Sequence, residues 1–171
     1  EDSRYADVLR RMRGAHVRWM LETRDLGFIP EPELFQGEQQ YGTRYDMGLA
    51  LNNEQKRRNL FYVAAVAGRP SIMNLTKLTD ALRHEDPAVR YWGAIGLGHI
   101  GTEAEPAIHF ILAAVQDSSA VVGVAAARTL WKLGRTQHAV AVLTEKLQSP
   151  SEWIRLYAAR SEGRRVGKEC I

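Results

Sequence analysis

The sequence is poor in the residues that build covalent cross-links and metal sites. Its 171 residues include one cysteine, Cys170, so the chain contains no second thiol with which to form a disulfide. The five histidines have no neighbours at the spacing of a zinc site. We therefore assign no catalytic, cofactor-binding or metal-ligating residue to this chain, and we expect it to hold no cofactor.

Long apolar runs are missing as well. No uninterrupted apolar stretch approaches the roughly 18 residues that a membrane-spanning helix needs. The composition, 45% hydrophobic and 25% charged, is that of an ordinary globular protein. We therefore expect no membrane partner.

The last residues, from Arg160 on, break the apolar periodicity that precedes them and resemble the in-frame translation of a common DNA-sequencing adapter. They contain four basic and two acidic residues, so without them the net charge falls by two, from +3 to +1. We interpret 160–171 as a non-native tail and expect the native sequence to stop near Ala159. The remaining positive charge is too small to indicate a nucleic-acid partner.

The first part of the chain predicts an amphipathic helix over residues 3–25. Apolar side chains recur there at three- and four-residue steps, which places them on one helical face. They are Tyr5, Val8, Leu9, Met12, Ala15, His16, Trp19 and Met20. Much of the other face carries arginines, which we interpret as a solvated surface because no aromatic side chains interleave with them. Gly27 is well placed to end the helix in a left-handed cap.

Residues 28–52 have a different character. Prolines and glycines are spread through them, and neither a helical nor a strand period is sustained. We predict a long irregular linker that packs over the surface.

From Asn53 onward the sequence predicts paired helices that repeat. A first helix is predicted over 53–67, and after it the apolar residues Leu75, Leu78, Ala81 and Leu82 recur 33 positions later as Ile108, Ile111, Ala114 and Val115. A second set recurs at the same interval, from Val89, Ala94, Leu97, Ile100 and Gly101 to Val122, Ala127, Leu130, Leu133 and Gly134. A period in the low thirties with two helical stretches per unit is typical of an α-solenoid, in which stacked units bury a continuous core.

Residues 86–101 resemble the core motif of HEAT-like repeats. In that family Asp-Pro, here Asp86-Pro87, makes the turn between the helices and starts the second one, and an arginine, here Arg90, reaches toward the acidic residue of a neighbouring turn. The second unit departs from the pattern, since Gly123 stands where Arg90 stands in the first, and Arg155 restores the arginine in the third. The resemblance covers about residues 53–159 and implies an all-α fold.

The stretch 22–34, Glu-Thr-Arg-Asp-Leu-Gly-Phe-Ile-Pro-Glu-Pro-Glu-Leu, resembles the exit from the last helix of bacterial sulfatases that carry a C-terminal HEAT-like extension. In that family the catalytic residue is a formylglycine made within a Cys/Ser-X-Pro-X-Arg motif, beside a calcium ion held by carboxylates. Neither group has a counterpart in this chain. The resemblance therefore implies the end of a sulfatase without its catalytic core, and a periplasmic or extracellular location.

Three other features could suggest chemistry, and each has a structural interpretation that we prefer. His84, Glu85 and Asp86 stand together where the repeat needs a polar turn. The spaced glycines of 96–101 end a helix instead of opening one after a strand, which a dinucleotide loop requires. Trp92, Trp131 and Trp153 could line a concave binding face, but their positions within repeat helices favour packing between units.

The sequence thus predicts a short HEAT-like α-solenoid preceded by one amphipathic helix and a long irregular linker. Its parts are a terminal helix and exit segment of an upstream sulfatase-like domain at 1–34, a linker at 35–52, HEAT-like repeats at 53–159, and the tail at 160–171. Two functions stay open. The chain is either the structural or substrate-access extension of a sulfatase, with the upstream catalytic domain as its partner, or a free-standing scaffold that binds a protein on its concave face.

Overall fold

The computed structural model describes residues 2–51 and 53–163, and in these ranges the fold is all-α. The helices are α1 (Ala6–Glu22), α2 (Glu31–Tyr41), α3 (Arg44–Ala50), α4 (Glu54–Ala67), α5 (Leu75–Ala81), α6 (Pro87–Ile100), α7 (Ile108–Ala114), α8 (Ala120–Lys132), α9 (Thr136–Lys146) and α10 (Glu152–Gly163). Short 3₁₀ turns at Ser3–Tyr5, Ile72–Asn74 and Gly101–Ala107 precede α1, α5 and α7. The all-α prediction is confirmed.

The repeat consists of the pairs α5/α6, α7/α8 and α9/α10. Within the stack, α6 contacts both α4 and α8, and α8 contacts α10, so these helices form one row. We call α4, α6, α8 and α10 the second-helix row. Ala94, Leu97, Ile111 and Leu130 are completely buried in the main core, to which residues from α4 to α9 contribute. The predicted repeat core is therefore present, with the apolar period facing inward.

Local sequence sets the ends of the repeat helices. Asp86 caps α6, because its Oδ1 accepts a hydrogen bond of 2.9 Å from the Ala88 amide, and Pro87 occupies the first turn, where its missing N–H costs nothing. Gly101 and Gly134 follow α6 and α8 with φ of 75° and 78°, the left-handed conformation that glycine adopts without steric cost. Gly101, the last of the spaced glycines of 96–101, was predicted as a helix end.

The prediction of an irregular linker is wrong. Helices α2 and α3 occupy most of residues 28–52, and the predicted boundary between 34 and 35 falls inside α2. Pro32 lies in the first turn of α2, where proline is tolerated, and Leu34 is buried. Gly37 faces Met47 of α3 so closely that a Cβ atom would overlap the thioether. Two of the residues that suggested a linker therefore have helical roles: Pro32 lies in the first turn of α2, and Gly37 lets α2 and α3 approach closely.

Two other boundaries also differ from prediction. Helix α1 ends at Glu22, and the left-handed residue after it is Arg24 (φ 53°) instead of Gly27. Helix α10 continues through Arg160 to Gly163, so the predicted start of the tail lies within a helix. Residues 164–171, with Cys170, lie outside the described part of the chain.

Candidate functional site

Arg90 ties consecutive repeats together. Its Nε and Nη2 each donate a 2.8 Å hydrogen bond to the carboxylate of Asp117, in the turn before α8. Nη1 donates to the carbonyls of His84 and Glu85 at 2.9 Å each. The side chains of Arg90 and Asp117 are only 13% and 10% exposed, so the pair is largely withdrawn from water. The arginine predicted from the motif makes the predicted contact to a neighbouring acidic turn.

The residues equivalent to Arg90 in the other two repeats make different contacts. Arg155 donates to the carbonyls of Ser149 and Pro150 at 2.7 and 3.0 Å, which repeats only the intra-turn half of the arrangement. Gly123 lies so close to α7 that a Cβ atom would stand 2.8 Å from the Val115 carbonyl oxygen. The glycine that departs from the arginine pattern therefore permits close approach of α7 and α8.

A segment outside the repeats crosses the second-helix row. We call residues 28–34 the cross segment. The Trp92 indole Nε1 donates a 2.7 Å hydrogen bond to the Phe28 carbonyl, and the Ser119 hydroxyl donates a 2.6 Å bond to Glu33 Oε1. The Tyr157 hydroxyl donates to Glu31 Oε2. The cross segment is thus held by α6, by the turn before α8, and by α10, one contact from each repeat.

Aromatic rings run along the same surface. Phe28 packs against Phe61 of α4 and Trp92 of α6, with ring centroids 5.3 and 6.0 Å apart. Tyr91 contacts Trp92 edge to face at 5.5 Å and Tyr157 at 6.4 Å. Edge-to-face and tilted pairs at these separations are attractive beyond the area that they bury. Phe28 therefore joins the start of the cross segment to α4 and α6, and Tyr91 continues the row of rings to α10.

The environment of the Glu31–Tyr157 contact favours an ionised carboxylate and a neutral phenol. The hydrogen bond from Tyr157 holds the pKa of Glu31 below its ordinary value. Burial, and then the bond to Glu31, raise the pKa of Tyr157. Burial also raises the pKa of Tyr91. At neutral pH this contact is accordingly a charge-assisted hydrogen bond, which is stronger than one between neutral groups.

The comparisons with known proteins agree with this geometry. The family model for HEAT repeats matches residues 75–163, just over half of the chain. The chain belongs to the HEAT-repeat family. No curated protein and no solved structure matches it. Membership supports a helical scaffold or protein-interaction role for the repeats, in keeping with the stacked core and the Arg90 contacts.

The polar turn 84–86 of the first HEAT repeat has structural partners at each side chain. His84 Nδ1 accepts from the Asp86 amide at 3.0 Å, and its Nε2 lies 3.0 Å from the Asn59 amide group. Glu85 pairs with Lys56 at 2.9 Å, while Asp86 caps α6. The structural interpretation of this turn is supported, since none of the three groups is directed toward another as an acid–base pair.

The remaining predicted candidates are also dispersed. The spaced glycines of 96–101 lie inside and at the end of α6, as expected, and not in a loop before a helix. Trp92 packs against two parts of the core, and Trp131 packs against the larger one, so both fill space between units. Trp153 is partly buried near the start of α10. The described residues contain no cluster of three or more His, Cys, Asp or Glu side chains arranged to hold a metal ion.

A groove of about 410 Å³ lies between α2 and the turn before α6. Its walls include three carboxylates and one lysine, Glu33, Glu85, Asp86 and Lys56. Each carboxylate has the partner described above: Ser119 for Glu33, Lys56 for Glu85, and the Ala88 amide for Asp86. Within the described ranges, no helix has the length and apolar character needed to cross a bilayer.

Sequence reasoning missed the cross segment as a functional element. Its three side-chain contacts join residues that are 64, 86 and 126 positions apart. No local period encodes pairs at such distances. The only hint was the resemblance of residues 22–34 to an exit segment, which marks this stretch as different from the repeats.

Proposed function

We propose that this chain is the non-catalytic HEAT-repeat extension of a sulfatase, in which the stack braces the catalytic domain or shapes the access of a sulfated substrate. The observation that carries the structural part is the cross segment. It links α1 to all three repeats by hydrogen bonds and to α4 and α6 by Phe28, so α1 and the stack form one connected unit. A link of this kind sets the position, relative to the stack, of anything that packs on α1.

The sulfatase part of the proposal rests on the resemblance of residues 22–34. Under it, formylglycine and calcium belong to the catalytic domain, and this chain supplies neither a catalytic group nor a metal ligand. The upstream catalytic domain is then the principal partner, and a periplasmic or extracellular location follows from the same resemblance.

A free-standing protein-binding scaffold is the second candidate, because HEAT repeats are suited to binding along an extended face. The cross segment weakens this alternative. It already contacts α4, α6, the turn before α8, and α10, so a partner on the second-helix row would have to bind beside it or displace it.

The decisive experiment is a sequencing read of the source gene through the codons that precede Glu1. A Cys/Ser-X-Pro-X-Arg motif upstream in the same reading frame supports the sulfatase proposal. Further repeats, or a start codon immediately upstream, would instead establish the scaffold.

An activity assay provides an independent test. The 171-residue chain is incubated with 4-methylumbelliferyl sulfate and calcium, and fluorescence is compared with that of a chain-free control. We expect no turnover, because the sequence contains no Cys/Ser-X-Pro-X-Arg motif from which a formylglycine could be made. Turnover that persists after repurification would contradict the non-catalytic assignment.

A further inference from the structure

Helix α1 has two apolar faces, and the fold covers one of them. Val17, Met20 and Leu21 pack against α4 and the residues that follow α1, and Met20 and Leu21 are buried. A second set lies on a different side of α1 and of the 3₁₀ turn that precedes it, and it is open to solvent. Its members are Tyr5 (62% exposed), Val8 (41%), Met12 (64%) and Trp19 (55%).

We call these four residues the outer face of α1. They follow one another at steps of three, four and seven, the spacing by which a helix presents a narrow seam to a second helix. Ala15 fills the remaining position of the seam. Single exposed apolar side chains are ordinary on a protein surface, but a contiguous seam of large ones marks an interaction site. The convex surface of a single helix suits another helix better than an extended peptide, which would require a sheet edge or a groove.

Charge decides which kind of helix fits. Arg4, Arg11 and Arg18 recur every seven residues and border one side of the outer face. Arg4 is paired with Asp2, whereas Arg11 and Arg18 make no ion pair within the described ranges. In a coiled-coil arrangement such border residues lie opposite the border residues of the partner and set the partner's identity.

A second copy of this chain does not match. If two α1 helices ran antiparallel, the arginine rows would face each other, and if they ran parallel, Arg11 would face His16 of the other copy. Neither arrangement supplies a carboxylate. An amphipathic helix with glutamate or aspartate at its borders supplies one opposite each arginine.

We propose that the outer face of α1 binds an acidic amphipathic helix of the adjoining catalytic domain. That helix seats apolar side chains on Tyr5, Val8, Met12 and Trp19 and places carboxylates beside Arg11 and Arg18. The inference rests on the proposed function, because it takes the occupant from the domain that the repeats are proposed to brace.

The test uses two synthetic helices and the intact 171-residue chain. Both helices have leucine along the seam; one has glutamate at the border positions and the other has lysine. We expect calorimetry to show that the glutamate helix binds roughly tenfold more tightly than the lysine helix, because two exposed ion pairs become two like-charge contacts. In the double variant R11E/R18E the order of the two affinities should reverse.

Matched variants locate the site. M12S removes the centre of the seam and should weaken binding of the glutamate helix, whereas M73S, at a methionine that is 87% exposed outside α1, should leave it unchanged. Both positions are open to solvent, so circular dichroism should show unaltered helix content.

Equal affinity for the two helices, no binding of either, or concentration-dependent dimerisation of the chain that M12S abolishes would overturn the inference. These outcomes are separate from failure of the proposed function. A source gene without the sulfatase motif removes the sulfatase assignment while the helix preference stands, and equal affinity removes the docking face whatever the gene encodes.

Discussion

Replacement of Arg90 by alanine should be far more damaging than replacement of Arg155, although both occupy the same position of the repeat. R90A leaves the carboxylate of Asp117 about nine-tenths buried and without its cation. It also removes the hydrogen-bond donor to the carbonyls of His84 and Glu85. Breaking a buried ion pair from one side typically costs 3–5 kcal/mol, and we take about 3 kcal/mol because this pair is not fully enclosed. R155A removes only two bonds to carbonyls in an exposed turn, for which we expect about 1 kcal/mol.

Thermal unfolding followed by circular dichroism measures the difference directly. In a domain of this size 1 kcal/mol shifts Tm by roughly 2–4 °C, so R90A should melt about 6–12 °C below the wild type. The double variant R90A/D117N should recover part of the loss, since it removes the uncompensated charge. Equal losses for R90A and R155A, or a double variant in which the separate losses simply add, would refute the reasoning that the inter-repeat carboxylate contact dominates.

Three further outcomes are expected. W92F keeps the aromatic packing but loses the indole bond to the cross segment, so it should cost about 1 kcal/mol in urea unfolding and speed amide exchange in residues 28–34; unchanged exchange there would contradict the contact. Because the pKa of Glu31 is lowered in the fold, the stabilisation from its ionised form is present above the ordinary pKa of 4.5 and is lost as the pH falls through the lowered value. Acid should therefore weaken the contact between Tyr157 and Glu31 in the wild type. In E31Q this contact is already weaker at pH 7, so acid should change it little. Tyrosine fluorescence measures both responses. G96A puts a Cβ atom 3.0 Å from the backbone of α4, and such overpacking should cost about 1–3 kcal/mol by thermal unfolding.

The repeat region could be predicted because its information is local. Asp86-Pro87 starts a helix by capping chemistry, Gly101 and Gly134 end helices by their left-handed conformation, and the 33-residue period places the apolar residues on the buried faces. Each signal acts within one turn or one repeat. The contact of Arg90 with the next turn was expected from the resemblance to HEAT-like repeats, in which neighbouring turns lie side by side.

The region before the repeats could not be predicted in this way, because proline and glycine occur both in loops and at specific positions of helices. Pro32 and Gly37 interrupt a hydrophobic period in the sequence, which is the usual mark of a loop, yet one lies in the first turn of a helix and the other lets Met47 approach. Helix α2 is short, and Leu34 is buried because it packs against the rest of the fold. Its stability thus comes from tertiary contacts more than from propensity.

This dependence on tertiary contacts has a functional consequence. A segment that were helical by itself would hold its shape whether or not it contacted the stack, and α1 would then be linked to the stack only by the packing of Val17, Met20 and Leu21 against α4. Because the cross segment is ordered by one contact from each repeat, losing any one of Trp92, Ser119 or Tyr157 weakens the link between α1 and the whole array. The position of the outer face of α1 is therefore coupled to contacts with all three HEAT repeats, which is what the proposed role as a brace requires.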